Sequence, residues 1–273
     1  MELSDRVAVV TGGASGIGEG LALRFHQEGA RHVVVADLDA EGAQTVAERI
    51  GGTGVGIDVR DEEAIRHLVA ETERSHGSVD LFVSNAGYVT MGGLETPNDE
   101  IQRMWEVHVM SHVYAARAVI PGMIARGGGT ILNTASAAGL LAQIGSLAYT
   151  VTKHAAVSLA EWIAITHGYQ GIRVAVLCPQ AVETNIVQNS PSRELAEGGA
   201  NVAAGDGVLQ PSDVAECVIQ GLRDEKFWAL PHPVVAEYAK RKATDVDRWL
   251  AGMQRFQERL FRGRDQPGEW IIG

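Results

Sequence analysis

The N-terminus carries the feature that limits the fold most sharply: a short β-branched run ending in a glycine-rich turn that opens straight into an amphipathic helix. Val7-Ala8-Val9-Val10 is apolar on both alternating faces and stops at Thr11; Thr11-Gly12-Gly13-Ala14-Ser15-Gly16-Ile17-Gly18 follows, with Ile17, Leu21 and Phe25 at helical spacing behind it. A strand apolar on both faces must be covered on both sides, as in a parallel sheet sandwiched by helices. The alternation continues along the chain. It predicts strands at 32–36, 54–58, 80–84, 130–135 and 173–178, a short one at 226–230, and helices at 40–50, 61–76, 99–125 and 146–169. Seven such strands make one α/β, doubly wound parallel sheet with helices on both faces, so residues 1–273 are expected to form a single domain.

Two stretches break the rhythm. Residues 185–210 are rich in Ala, Gly, Asn and Ser without a clean period and end at Pro211, which predicts a functional loop over the site. Residues 233–262 predict a C-terminal helical extension with Tyr238, Trp249, Met253, Phe256 and Leu260 as its apolar points.

Composition narrows the function. A net charge of −11 without a Lys/Arg cluster argues against nucleic acid or an anionic membrane as partner. No run approaches the length of a membrane span, and two cysteines, Cys178 and Cys217, supply neither a disulfide framework nor a four-cysteine zinc site. A cytoplasmic location is expected.

The glycines at 12, 16 and 18 allow a tight turn and close approach of backbone N–H groups to a pyrophosphate, which the helix N-terminus also favours. Taken alone, such a turn is weak evidence, since some are only tight connections; its placement between the first strand and an amphipathic helix favours the cofactor reading. Asp37 closes the second predicted strand, where a carboxylate accepts hydrogen bonds from an adenosine ribose 2′-hydroxyl and repels a 2′-phosphate; its other reading is a helix cap. No Lys or Arg stands at Ala14, Ser15 or Leu38, so NAD is favoured over NADP. Tyr149 and Lys153 lie one helical turn apart, where the ammonium would favour the phenolate; without further support they are an ordinary surface pair. Ser136, at the end of the preceding strand, changes that weighing because its hydroxyl can hold a substrate oxygen.

The ordered set Thr11–Gly18, Asp37, Asp58-Val59, Asn85-Ala86-Gly87, Ser136 and Tyr149-x-x-x-Lys153 resembles the classical short-chain dehydrogenases/reductases over roughly residues 5–184. The resemblance implies a Rossmann-type sheet and an NAD-dependent oxidoreductase interconverting a secondary alcohol and its ketone. It implies that Tyr149 is the acid/base, that Lys153 lowers its pKa and bonds the nicotinamide ribose, and that Ser136 orients the substrate oxygen. Gly12, Ser15, Gly16, Ile17 and Gly18 would hold the pyrophosphate, Asp37 and Leu38 the adenosine ribose, and Asp58 and Val59 the adenine. Asn85, Ala86 and Gly87 would line the cofactor, while Pro179, Val182 and Thr184 would hold the carboxamide.

Two residues depart from the family pattern. Gln180 stands where a glycine usually follows the proline, and His108 stands where the family has a catalytic Asn that helps hold a water linked to the lysine. His108 is expected to keep that relay and to titrate near neutral pH. His108 and His112 have the i, i+4 spacing of a metal pair, but no third ligand is evident and no metal is expected.

Residues 85–100, 134–152 and 179–192 contain no Lys or Arg, and they offer Tyr88, Val89, Met91, Leu140, Leu141, Gln143, Ile144, Ile186 and Val187. Only Arg193 lies nearby, so a small, neutral, largely apolar alcohol or ketone is expected as substrate. Leu147, Val151, Ala155, Leu159 and Ile163 form an apolar stripe on the helix carrying Tyr149, with Ala156 and Ala160 beside it, and with the resemblance this implies a homodimer or homotetramer. The alternative reading is a non-catalytic dinucleotide-binding regulator of the same fold.

Overall fold

A computed structural model describes residues 1–184, 186 and 204–262. The predicted strands form β1 (Val7–Thr11), β2 (His32–Asp37), β3 (Thr53–Gly56), β4 (Leu81–Ser84), β5 (Gly129–Thr134), β6 (Ile172–Leu177) and β7 (Trp228–Ala229). All pair in parallel, in the order β3-β2-β1-β4-β5-β6-β7. The order reverses between β1 and β4, which opens a crevice at their carboxyl ends.

Alternate residues of each strand feed two cores. Ala8, Val10, Val83 and Leu132 pack beneath α1 (Gly16–Gln27), α2 (Ala40–Arg49) and a later helix, α8 (Pro211–Arg223). Val9, Phe82 and Ile131 pack on the other face beneath α3 (Glu62–His76), α5 (Ser111–Ala125) and α7 (Leu147–His167). Phe25, Phe82, Leu132, Ile163 and Ile219 are among the largest side chains buried completely.

Four local expectations are corrected. The single long helix expected at 99–125 is α4 (Asn98–Trp105), a π-helical turn at Glu106–Met110 centred on His108, and then α5. The extra residue in a π turn rotates the face that follows it relative to the face before. Strand β3 starts and ends earlier than its apolar pattern suggested, and β7 is reduced to two residues. A short helix, α6 (Ala138–Leu141), follows Ser136, and α8 begins at Pro211 with a reciprocal cap between Gln210 and Asp213; neither was foreseen. The C-terminal extension is two helices, α9 (Val234–Thr244) and α10 (Val246–Phe261), divided at Asp245, whose extended backbone and carboxylate cap α10 at Arg248. Most of the expected loop at 185–210 lies outside the described residues. Its flanks are pinned: the Glu183 N–H donates to the Leu209 carbonyl and the Leu209 N–H to Ala181.

Candidate active site

The carboxyl ends of the central strands open into a cleft of about 1620 Å³, and the sequence-predicted site residues line it, except Gly18 and His108, which stand behind its wall. Its floor is the glycine turn. Gly12 and Gly16 adopt φ of +64° and +57°, a region L side chains avoid, and a Cβ on Gly12 would lie 2.7 Å from the Ala86 Cα. A Cβ on Gly18 would lie 2.0 Å from the Gly12 carbonyl oxygen, so this helix can approach its strand only as glycine. Asn85 holds the turn: its Nδ2 donates to the carbonyls of Thr11 and Gly12, each at 3.1 Å, and its N–H to Thr11 Oγ1 at 3.0 Å. Ser15 precedes α1 in extended conformation and makes no side-chain cap, leaving the helix start facing the cleft.

Asp37 accepts the N–H of Ala14 and of Asp39, each at 3.0 Å, while Asp39 caps α2 through Gly42. The helix-cap role open to Asp37 in the sequence thus falls to Asp39, and Asp37 lines the cleft. Leu38 stands beside it at the rim, 75% exposed. Asp58 and Val59 also line this end, with both Asp58 oxygens engaged by the Arg60 guanidinium. That partner is the main reason the Asp58 carboxyl lies below its usual range. A glycine cradle that added Cβ atoms would fill, an uncapped helix start and an acceptor carboxylate fit a nicotinamide dinucleotide lying across the order reversal.

At the other end Ser136, Tyr149 and Lys153 come together, all buried. The Lys153 Nζ donates to the Thr134 carbonyl at 3.0 Å and sits 5.6 Å from the Tyr149 ring centre. Ser136 Oγ donates to the Pro179 carbonyl at 3.3 Å and accepts the Ala138 N–H at 3.1 Å. Burial raises the Tyr149 phenol above its ordinary value, with the nearby Ser136 hydroxyl opposing, and pushes Lys153 down to about 8. The sequence expectation that the ammonium sets the phenol's pKa is therefore outweighed, in the protein alone, by desolvation. Cys178 is pushed up to about 12 by burial and stays a thiol, in line with its structural reading.

His108 is completely buried beside this group. Its Nδ1 pairs with Thr152 Oγ1 at 3.0 Å, and its Nε2 accepts the Tyr88 N–H at 3.2 Å. The single Thr152 hydroxyl proton goes to the Ala148 carbonyl at 2.8 Å, which assigns His108 the neutral tautomer protonated on Nδ1. Both ring nitrogens are thus engaged by protein. Burial, Lys153 and His112 together hold its pKa well below 6.5, so the titration near neutral pH expected from sequence is overturned. Gly87 permits this packing, because a Cβ there would lie 3.0 Å from His108 Nε2. His112 is buried with neither nitrogen paired to protein, and burial and Lys153 bring it to about 3. Among the described residues no three His, Cys, Asp or Glu side chains gather as a metal ligand set.

Pro179, Gln180, Val182 and Thr184 form the wall after β6. Gln180, the departure from the family pattern, donates its N–H to His232 Nδ1 at 3.2 Å. Of the expected substrate wall, Tyr88, Val89, Leu141, Gln143, Ile144 and Ile186 line the cleft. Met91 and Leu140 pack behind it, and Val187 and the nearby Arg193 lie outside the described residues. Sequence reasoning missed Arg60 and Arg103 in the cleft wall, because both lie outside residues 85–100, 134–152 and 179–192, from which the uncharged wall was read. It also missed that Tyr238, Trp249, Met253 and Phe256 line the same cleft, although their helical stripe was visible.

Residues 6–195 match the family model described as short chain dehydrogenase. The chain is 34% identical over 237 residues to 1-deoxy-11-beta-hydroxypentalenate dehydrogenase of Streptomyces exfoliatus, covering 84% of this chain and 83% of that protein. It is 33% identical over 219 residues to meso-2,3-butanediol dehydrogenase of Serratia marcescens, covering 79% and 86%. A short-chain dehydrogenase/reductase from Burkholderia phymatum, solved in complex with NAD, superposes with a TM-score of 0.82 at 27% identity, covering 90% of this chain and 96% of that one.

His108 and His112 make stability pH-dependent. Their folded pKa values lie below the unfolded value, so below about pH 6.5 the unfolded chain takes up protons that the folded chain refuses, and stability falls as pH falls. Each contributes a slope of up to about 1.4 kcal/mol per pH unit in that window. Urea unfolding at pH 7.5 and pH 5 is expected to show this loss, and His112→Leu to reduce it; equal slopes in the two proteins would overturn the assignment to His112.

Proposed function

The chain belongs to the short-chain dehydrogenase family and is an oxidoreductase of the alcohol–ketone couple; within that class we propose that it uses NAD and acts on a neutral, largely apolar secondary alcohol and its ketone. The observation that carries this reading is the convergence of Ser136, Tyr149 and Lys153 on a cleft whose adjoining wall is Val89, Leu141, Ile144 and Ile186.

The bound dinucleotide supplies the hydride acceptor in one direction and the donor in the other. The chain's own residues do the rest. Ser136 holds the substrate oxygen, and Tyr149 takes its proton on oxidation and returns it on reduction. Lys153, fixed by the Thr134 carbonyl, keeps a cation close to the phenol and toward the ribose. His108 acts as a positioning residue: by holding Thr152 and the Tyr88 N–H it fixes the turn of α7 between Tyr149 and Lys153 and the segment after Gly87. A ring with both nitrogens engaged favours this over direct water handling.

Preference for NAD rests on Asp37, whose carboxylate meets a 2′-hydroxyl favourably and a 2′-phosphate unfavourably, and on the absence of Lys or Arg at Ala14, Ser15 and Leu38. The NAD complex of the Burkholderia phymatum protein supports the same reading. Wild type is expected to favour NAD over NADP in kcat/KM, and Asp37→Ala to narrow the gap at least tenfold, of order 1.4 kcal/mol. Equal use of both cofactors by wild type would sink the assignment.

For the chemistry, Tyr149→Phe is expected to lower kcat at least about a hundredfold while NADH still binds. His108→Ala should lower kcat as well, with His108→Asn recovering much of it because the amide can both donate to Thr152 and accept from Tyr88. Unchanged kcat in Tyr149→Phe moves the acid/base elsewhere. NADH binding without turnover of any alcohol or ketone by wild type favours the regulator.

A homodimer or homotetramer is part of the proposal. Trp162, Ile165 and Tyr169 near the end of α7 are 58%, 81% and 86% exposed, beside a groove lined by Ala116, Ile120 and Leu159. Such a surface suits burial against a second copy. Sedimentation at micromolar concentration is expected to give a dimer or larger; a monomer would refute it.

A further inference from the structure

Helices α9 and α10 follow β7, beyond residues 6–195 where the family match lies, so their role must be read from this chain alone. Helix α10 carries Trp249, Met253, Phe256 and Leu260 on one stripe, while Arg248, Leu250, Gln254, Arg255, Glu258 and Arg259 are exposed around it. An amphipathic helix of this kind normally buries its stripe in a core. This one does not: none of its described side chains is fully buried, and it packs chiefly on α9. What the stripe meets is the catalytic cleft, which Trp249, Met253 and Phe256 line together with Tyr238 of α9.

Three contacts hold the pair in place. Lys242 of α9 donates to the Leu140 carbonyl at 2.6 Å, next to the Leu141–Ile144 wall. The same Nζ lies 3.4 Å from Nε2 of His154, the residue after Lys153. The Tyr238 hydroxyl donates to Asp206 at 3.2 Å, and its ring sits 6.2 Å from that of Trp249. The cleft volume of about 1620 Å³ exceeds the ~300–1,000 Å³ of an ordinary small-molecule site, so a dinucleotide leaves room for a second molecule of substantial size.

We propose that α10 is the specificity element of this enzyme: Trp249, Met253 and Phe256, with Tyr238, form an apolar cap that selects fused-ring secondary alcohols over small ones. The proposal rests on the alcohol–ketone reading and names its substrate class. Three aromatic rings and a thioether give rigid and adaptable apolar surface. A substrate anchored by its oxygen at Ser136 and Tyr149 uses that surface only if its body extends toward α10. A fused-ring skeleton does so with little rotamer entropy to lose.

The test compares trans-2-decalol with cyclohexanol in NAD reduction, and measures calorimetric binding of 2-decalone to the NADH-loaded protein. Trp249→Ala and Phe256→Ala are each expected to lower the decalol-to-cyclohexanol ratio of kcat/KM about tenfold or more and to weaken decalone binding to match. Met253→Trp, which fills the cap instead of emptying it, should lower the same ratio. Leu250→Ala, on the outer side of α10 and 51% exposed, should leave it unchanged. Because no described side chain of α10 is fully buried, these variants keep the sheet and its melting temperature. A wild-type enzyme that oxidises both alcohols at a ratio none of the variants alters overturns the cap and leaves the alcohol–ketone reading standing. Decalone binding that weakens in Trp249→Ala, in a wild type without turnover, supports the cap and overturns that reading. Neither binding nor turnover in wild type overturns both.

Discussion

The site depends first on a knot of hydrogen bonds where the strand order reverses. Thr11 Oγ1 donates to the Val83 carbonyl at 3.2 Å and accepts the Asn85 N–H at 3.0 Å, while the Asn85 amide donates to the two carbonyls that begin the glycine turn. One buried hydroxyl and one amide therefore tie the ends of β1 and β4 to each other and to the cofactor turn. Each backbone group lost there would be a buried polar group without a partner. Ala86 packs so closely on Gly12 that any side chain would part them. The crevice is the gap that this knot holds open on one side and closes on the other.

Desolvation governs the chemistry at the opposite end. Lys153, Tyr149, His108 and His112 are all buried, and for each of them burial is the largest influence on the pKa. The consequence is a set of groups biased toward neutrality, with Lys153 brought to about 8 and the phenol raised. A buried phenol of this kind responds most to any positive charge brought into the cleft, because interactions are strong where water is excluded. Imidazolium at 108 would cost the acceptor that the Tyr88 N–H needs, so geometry and electrostatics both keep this histidine neutral.

Much of this was legible in the sequence because it is written in local patterns. Doubly apolar strands imply a covered parallel sheet, glycines at 12, 16 and 18 imply close backbone approach, and Tyr149 with Lys153 shares a helical face whatever surrounds it. What local pattern cannot carry is the identity of the neighbour. That His108 would use both nitrogens depends on Thr152 and Tyr88, which are distant in sequence and reach it only through the π turn and the packing of α7. The division of labour between Asp37 and Asp39 depends on the local backbone, which makes the second of two acids, with Leu38 between them, the cap. The cap was hidden for a different reason: an apolar helical stripe announces burial without saying whether core or cleft receives it.

That ambiguity reflects how the molecule distributes its stability. The central strands β1 and β4 below the cleft are packed at or near zero exposure, while Ser136 follows β5 and Tyr149 and Lys153 stand on α7. Such elements open only with the whole fold. The capping helices stand at the other extreme, with Val235 as the only fully buried described side chain in α9 and none in α10. Their apolar surface is held near the cleft by Lys242 and Tyr238 rather than by a core of its own. Residues that answer to the core have little freedom to change, since a lost methylene there leaves a cavity. Residues that answer only to a ligand can change without endangering the sheet. Separating the two lets the chemistry stay fixed while the choice of substrate is set by side chains on α10.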